Sequence, residues 1–224
     1  SVRANQTAGF SIVTWSVGNA VNNSTIGHGL GAAPSMIICK TRNASNQNWI
    51  VYHKALGTGD YLALESTQGN DTRFSTIWGT SAPTSTVFGV AETGYSNNSS
   101  NNNYVAYCFA PVAGYSAFGS YTGNGNADGP FVYTGFRPRW VLIKNATATN
   151  SWAILDTARD TFNGMDERLH PNTSGATNTG AGIVLDTLSN GFKCRNSDSL
   201  ENQSGQTIIY AAFAENPFKI ARAR

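Results

Sequence analysis

The chain carries nearly the same pattern twice. Residues 29–40, GLGAAPSMIICK, return as residues 133–144, YTGFRPRWVLIK, so that Gly31, Pro34 and Lys40 are answered by Gly135, Pro138 and Lys144 at a constant shift of 104. Trp49-Ile50-Val51-Tyr52 is answered by Trp152-Ala153-Ile154-Leu155 at 103, and Cys108-Phe109-Ala110 by Ala212-Phe213-Ala214 at 104. Gly9-Phe10-Ser11 precedes the first copy as Gly114-Tyr115-Ser116 precedes the second. A shift held this constant across separated landmarks indicates an ancestral duplication. It sets two repeats, 1–112 and 113–224, joined through Ala110-Pro111-Val112-Ala113-Gly114 without a flexible spacer. Such copies are expected to pack together or to form one pseudo-symmetric domain.

Apolar residues come in short runs rich in Val, Ile, Phe, Tyr and Trp, broken by Gly, Asn, Ser and Pro, which is the punctuation of strands and turns. Strands are expected near 9–15, 35–41, 48–54, 60–66, 85–91 and 103–110, then near 115–121, 139–145, 150–156, 183–188, 190–195 and 206–214. No segment repeats apolar residues at helical spacing over three turns, so helix should be scarce; 158–168 offers one turn at most, weakened by Asn163 and Gly164. Asn43–Asn46 and Asn145–Asn150 are polar turns between a run ending in Lys and a run opening with Trp, a hairpin in each copy. The fold class is therefore all-β, of sandwich type. Ser96–Asn103 and Asn172–Gly182 are low in complexity and read as exposed loops.

Only 12% of residues are charged, about half the usual fraction, with amides, hydroxyls and 23 Gly in their place. Hydrophobic content of 40% suffices for a core. A net charge of +2 makes no polyanion site, and the cluster Lys219, Arg222 and Arg224 reads as a solvated tail, so no nucleic-acid partner is expected. No run of eighteen apolar residues suggests membrane insertion. A chain opening on Ser1 without methionine reads as a fragment or a processed product. Cys39, Cys108 and Cys194 lie in strand-like runs where the other copy has Ile143, Ala212 and Val90, which predicts buried free thiols.

No catalytic constellation stands out. His28 has Val132 as its partner at a shift of 104, His53 has Asp156 at 103, and His170 lies in a polar loop, so no imidazole is duplicated. Asp156, Asp160, Asp166, Glu167 and Asp186 read as a solvated acidic edge. A glycosidase needs two opposed carboxylates, which spacing alone does not reveal. Nucleophile elbows, phosphate loops and zinc motifs are missing. Asn124, Asn126 and Asp128 have the spacing of the front half of a calcium loop, but the twelfth position is Gly135 instead of Glu, so neither metal nor cofactor is expected. The pair Trp49/Trp152, present in both copies, is expected to pack the two cores. Trp78 and Tyr95 stand in unduplicated contexts beside Asn, Thr and Gly. With Asn97 and Asn98 they form the candidate ligand site, aromatic faces for a pyranose and amides for its hydroxyls.

The ordered set GFSIVTW, HGLGAAPSMIICK, NWIVYH, YVAYCFA, GSYTGNGNADGPFVYTGFRPRWVLIK, LSNGFKCR and YAAFAENPF resembles a domain of bacteriophage structural proteins, chiefly tail-fibre and related virion-appendage proteins of marine and cyanobacterial phages. The likeness spans nearly the whole chain and carries no catalytic residues. It implies a virion component in an oligomeric assembly, a trimer favoured, beside other virion proteins and within reach of a host-cell glycan or receptor. Three readings follow, in order: a non-enzymatic adhesin, a structural decoration or fibre-assembly module, and a glycan-cleaving depolymerase. Positions that differ between the copies, chiefly 66–84, 92–103 and 157–182, are where a specificity would reside.

Overall fold

The structure, a computed structural model, describes residues 1–21, 23–72, 76–90, 97–179 and 182–217. The chain divides into two compact units, Ser1–Pro111 and Val112–Arg224. Among the described residues every regular element is a strand, and no helix is long and apolar enough to cross a membrane.

The first unit holds β1 (Val2–Asn5), β2 (Phe10–Val17), β3 (Ser24–Gly27), β4 (Met36–Thr41), β5 (Ile50–His53), β6 (Leu62–Ala63), β7 (Val87–Val90) and β8 (Asn102–Phe109). Six of these form one antiparallel sheet in the order β1-β2-β8-β4-β5-β6, and β3 pairs with β7 in a second. Period-2 alternation turns one face of each sheet inward. The core joins Val13, Ile37, Cys39, Ile50, Tyr52, Tyr104, Ala106 and Cys108 of the large sheet to Phe88 and Val90 of the small one.

The second unit repeats the plan with β9 (Ser116–Thr122), β10 (Phe131–Tyr133), β11 (Pro138–Asn145), β12 (Trp152–Asp156), β13 (Leu185–Leu188), β14 (Gly191–Cys194) and β15 (Thr207–Ala214). Its large sheet runs β12-β11-β15-β9, the counterpart of β5-β4-β8-β2, and its small sheet runs β10-β14-β13. Val132, Phe192, Cys194 and Leu185 of the small sheet meet Val141, Ile143, Ala153, Leu155, Ile208, Tyr210 and Ala212 of the large one. Each unit is thus a sandwich of a large and a small antiparallel sheet. The three cysteines are buried and form no disulfide.

Three short strands escape the sequence pattern: β1, β3 and β10. The expected burial holds for Trp152, which is 1% exposed, and is corrected by register for Trp49, which is only half-buried. Ile50 and Tyr52, and in the second unit Ala153 and Leu155, enter the core. Alternation therefore turns the preceding tryptophan to the opposite face. There Trp49 stacks on Tyr107 at 6.4 Å, with the Lys40 ammonium 5.7 Å from its ring centre. The duplicated lysines hold the duplicated hairpins closed. Lys40 donates to the Gln47 carbonyl and Lys144 to that of Asn150 at 2.8 Å. Burial pushes the Lys144 ammonium down to about 8.

Candidate functional site

Of the residues predicted to bind a ligand, the three among the described residues, Trp78, Asn97 and Asn98, are buried. Trp78 is 0% exposed, with its ring in the core of the first unit and edge-on to Tyr52 at 5.7 Å. A ring sealed among core residues offers no stacking face, so Trp78 is a packing residue. Tyr95 lies outside the described residues. Asn97 and Asn98 are buried, and their amides serve the backbone. Asn97 donates to the Ile77 carbonyl at 2.7 Å, and Asn98 donates to Val21 at 2.8 Å and Val90 at 3.4 Å.

The repeat explains Asn98, which has Asn202 as its counterpart at a shift of 104. Asn202 donates to the carbonyls of Asn126 and Asn196, both at 2.7 Å, and accepts from the Asn124 amide at 2.8 Å. In each unit one buried asparagine pins a loop by donating to its backbone carbonyls. This loop in the second unit is the calcium candidate. Its oxygens are engaged: Asn124 Oδ1 accepts from the Asn126 amide, Asn126 Oδ1 from the Asp128 amide, and Asp128 pairs with Lys193 at 2.8 Å. These side chains act as turn locks, and no group of three or more His, Cys, Asp or Glu that could hold a metal occurs among the described residues.

The histidines are also structural. His28 is buried, donates from Nε2 to the Thr84 carbonyl at 3.1 Å and accepts the Leu30 amide at Nδ1; burial holds it below the ordinary imidazole range. Its counterpart is Thr134 and not Val132. The His28 amide bonds Thr86 and the Thr134 amide bonds Asn190, carbonyls 104 residues apart. His53 Nδ1 accepts the Ala55 amide just as Asp156 Oδ1 accepts that of Ala158. The acidic residues of the second copy serve loops: Asp156 pairs with Arg159 at 2.6 Å, and Asp160 accepts the amides of Asp166 and Glu167. Burial pushes the Cys108 and Cys194 thiols up to about 12, which keeps them protonated and poor nucleophiles.

What the structure does expose is an aromatic pair that sequence reading passed over. Phe131 and Tyr133 stand on β10, 46% and 68% exposed, on either side of the inward Val132. β10 is an edge strand whose partner residues on β14 are Lys193 opposite Phe131 and Gly191 opposite Tyr133. A Cβ on Gly191 would lie 3.0 Å from the Phe131 ring and 2.1 Å from the Val132 carbonyl, so only glycine lets Phe131 lie against the strand. Around the pair sit two ion pairs, Lys193 with Asp128 at 2.8 Å and Arg195 with Asp186 at 3.3 Å. Lys193 also donates to the Gly129 carbonyl at 2.7 Å. Flat apolar rings bordered by mutually neutralised donors and acceptors suit a ligand with an apolar face and a hydroxylated edge.

The duplicate shows that this face is not required by the fold. The step Val132 opposite Phe192 corresponds to Ile26 opposite Phe88. Phe131 and Tyr133 therefore correspond to Thr25 and Gly27, and Lys193 to Gly89. The alternation Phe-Val-Tyr on a short strand was the available signal.

A second feature peculiar to the second unit is a buried ion pair. Arg168 and Glu201, 4% and 0% exposed, meet at 2.6 Å, and Arg168 also reaches Asp198 at 3.2 Å. The bridge of Arg168 with Asn178 repeats that of Tyr61 with Asp71, so Tyr61 and Asn97 fill these places in the first unit. Burial pushes the Glu201 carboxyl up to about 7, against the opposing pull of Arg168.

Fold and face together define a duplicated antiparallel β-sandwich with an exposed aromatic pair on one unit. The chain belongs to the family described as Domain of unknown function (DUF7483), whose model matches residues 1–217. Neither a curated protein nor a solved structure matches it.

Proposed function

We propose that this chain is a non-enzymatic virion-appendage domain that contacts a host-cell surface, with carbohydrate held on the Phe131–Tyr133 face. The observation that carries the reading is the exposure of two aromatic rings side by side on a sheet edge, where the duplicate has Thr25 and Gly27. The pair is exposed and appears in one copy only, so neither core packing nor the shared sheet plan calls for it. The uncharged, amide- and hydroxyl-rich composition and the resemblance to phage appendage modules support the same reading. The bordering charges favour a neutral sugar over a polyanion, because Lys193 and Arg195 are each matched by a carboxylate. In a homo-oligomeric appendage, a trimer above all, weak single sites would add by avidity.

The test is a glycan array and a host-cell binding assay with the wild-type chain and the double variant Phe131→Ala/Tyr133→Ala. Losing two stacking rings is expected to weaken apparent affinity about ten- to a hundredfold. Both side chains are exposed, so the denaturation midpoint should hold. Undiminished binding by a folded double variant would remove this face from the function.

A further inference from the structure

The face occupied by Phe131 and Tyr133 in the second unit is built differently in the first. There the outward positions of β3 and β7 are Thr25, Gly27, Val87 and Gly89. Residues 79–84 run beside them: a Cβ on Gly89 would lie 2.3 Å from the Trp78 carbonyl and 2.8 Å from the Gly79 Cα. Between this segment and the strands lies a groove of about 230 Å³ whose surface is largely apolar, with Ala82 and Val87 in its wall and Thr25, Thr80, Ser81 and Thr84 among its polar residues.

We infer that this groove is a second binding site, specific for a single neutral, polyhydroxylated ring such as one sugar residue. The inference rests on the glycan-binding reading above and extends it to the other unit. Three observations carry it. The volume is below the roughly 300–1,000 Å³ of sites for larger ligands, which limits the occupant to about one ring. The lining among the described residues contains no charged side chain, so an ionic ligand would lose its hydration without compensation. The hydroxyls of Thr25, Thr80 and Ser81 form no hydrogen bond among the described residues and are left for a ligand, whereas Thr84 Oγ1 is engaged by the amides of Thr86 and Val87 and braces the wall.

The duplication thus yields two unlike sites at one structural position. One is an open platform that stacks, and the other is a groove that hydrogen-bonds. A chain holding both would carry two separate sites, one on each unit.

Amide chemical shifts of the full chain, followed while glucose, galactose, mannose and N-acetylglucosamine are titrated singly, test the groove. With at least one sugar, Thr25, Ser81 and Thr84 are expected to shift and saturate in the millimolar range. The variant Thr25→Val/Ser81→Ala should weaken that response about tenfold. Ala82→Phe, at an exposed position on the groove wall, should block it without touching a hydroxyl. Phe131→Ala/Tyr133→Ala should leave it unchanged, so failure of the platform and failure of the groove are read separately. If no sugar moves the groove amides, or if the response survives Ala82→Phe in the folded chain, the second site is overturned.

Discussion

Replacing Trp78 by alanine is expected to cost about 3–5 kcal/mol of stability, the range for removing a fully buried large aromatic side chain. The ring is completely buried, sits edge-on to Tyr52 and belongs to the core of the first unit, so little of its volume can be refilled from solvent. Asn98→Ala, a few ångströms of polar chemistry instead of a whole ring, should cost less, about 1–3 kcal/mol, by removing the buried amide's bonds to the Val21 and Val90 carbonyls. Both losses are read from urea denaturation at constant pH. Neither substitution removes a group from the Phe131–Tyr133 face, so ligand binding by the folded fraction should be retained. If Trp78→Ala leaves the denaturation midpoint in place and abolishes glycan binding instead, the ring is a ligand platform and its burial is misassigned.

That expectation reverses the role Trp78 has in the sequence, and the reason is physical. Trp78 lies among Thr, Gly and Ser, the composition of an exposed loop, and composition reports the neighbours in sequence while burial is set by neighbours in space. The same holds for Asn97 and Asn98 within SNNSSNNN. A run of amides has the look of solvent-facing chain, yet a loop that crosses a core edge needs buried amides to satisfy its carbonyls. The shift of 104 already linked Asn98 to Asn202, and applying it inside the low-complexity segment would have marked the pair as structural.

Where the pattern is long, it was legible. The large-sheet strands β2, β4, β8, β11 and β15 announce themselves by alternation and by the landmarks repeated in both copies. The strands that build the small sheets' outer edges do not: β3 is Ser-Thr-Ile-Gly and β10 is only three residues, too short for a period to be read. The aromatic face lies on β10, and the groove of the first unit lies beside β3. The scaffold is therefore legible in the sequence, whereas the exposed pair on β10 is not. A two-residue difference in spacing before Gly31 and Gly135 also misled the comparison, giving His28 the partner Val132 in place of Thr134. The Arg168–Glu201 pair had no local signal at all, because its members are 33 residues apart and meet only after the second sandwich closes.

Removing one member of that pair is expected to be among the most damaging single changes to the second unit. Glu201→Ala strips Arg168 of its partner at 2.6 Å and leaves a guanidinium that is 4% exposed, with Asp198 as its remaining carboxylate. With Asp198 still paired at 3.2 Å, the loss is expected to approach but not exceed the roughly 3–5 kcal/mol of a fully uncompensated buried charge. Glu201→Gln keeps shape and acceptor and should cost less, which makes it the reference for pH dependence. Burial raises the Glu201 carboxyl from 4.5 to about 7, so the fold favours the protonated form. The stability this group contributes is therefore fully present below about pH 4.5 and is lost as pH rises to about 7, with a span of roughly 3 kcal/mol. Groups common to both proteins, including the depressed Asp156 carboxyl and the depressed His28, cancel in the difference between wild type and Glu201→Gln. That difference, followed by urea denaturation from pH 4 to 8, should fall with rising pH and level off above 7. A difference that rises across the same window would mean that the attraction of Arg168 outweighs burial and that Glu201 is held as a carboxylate inside the sandwich.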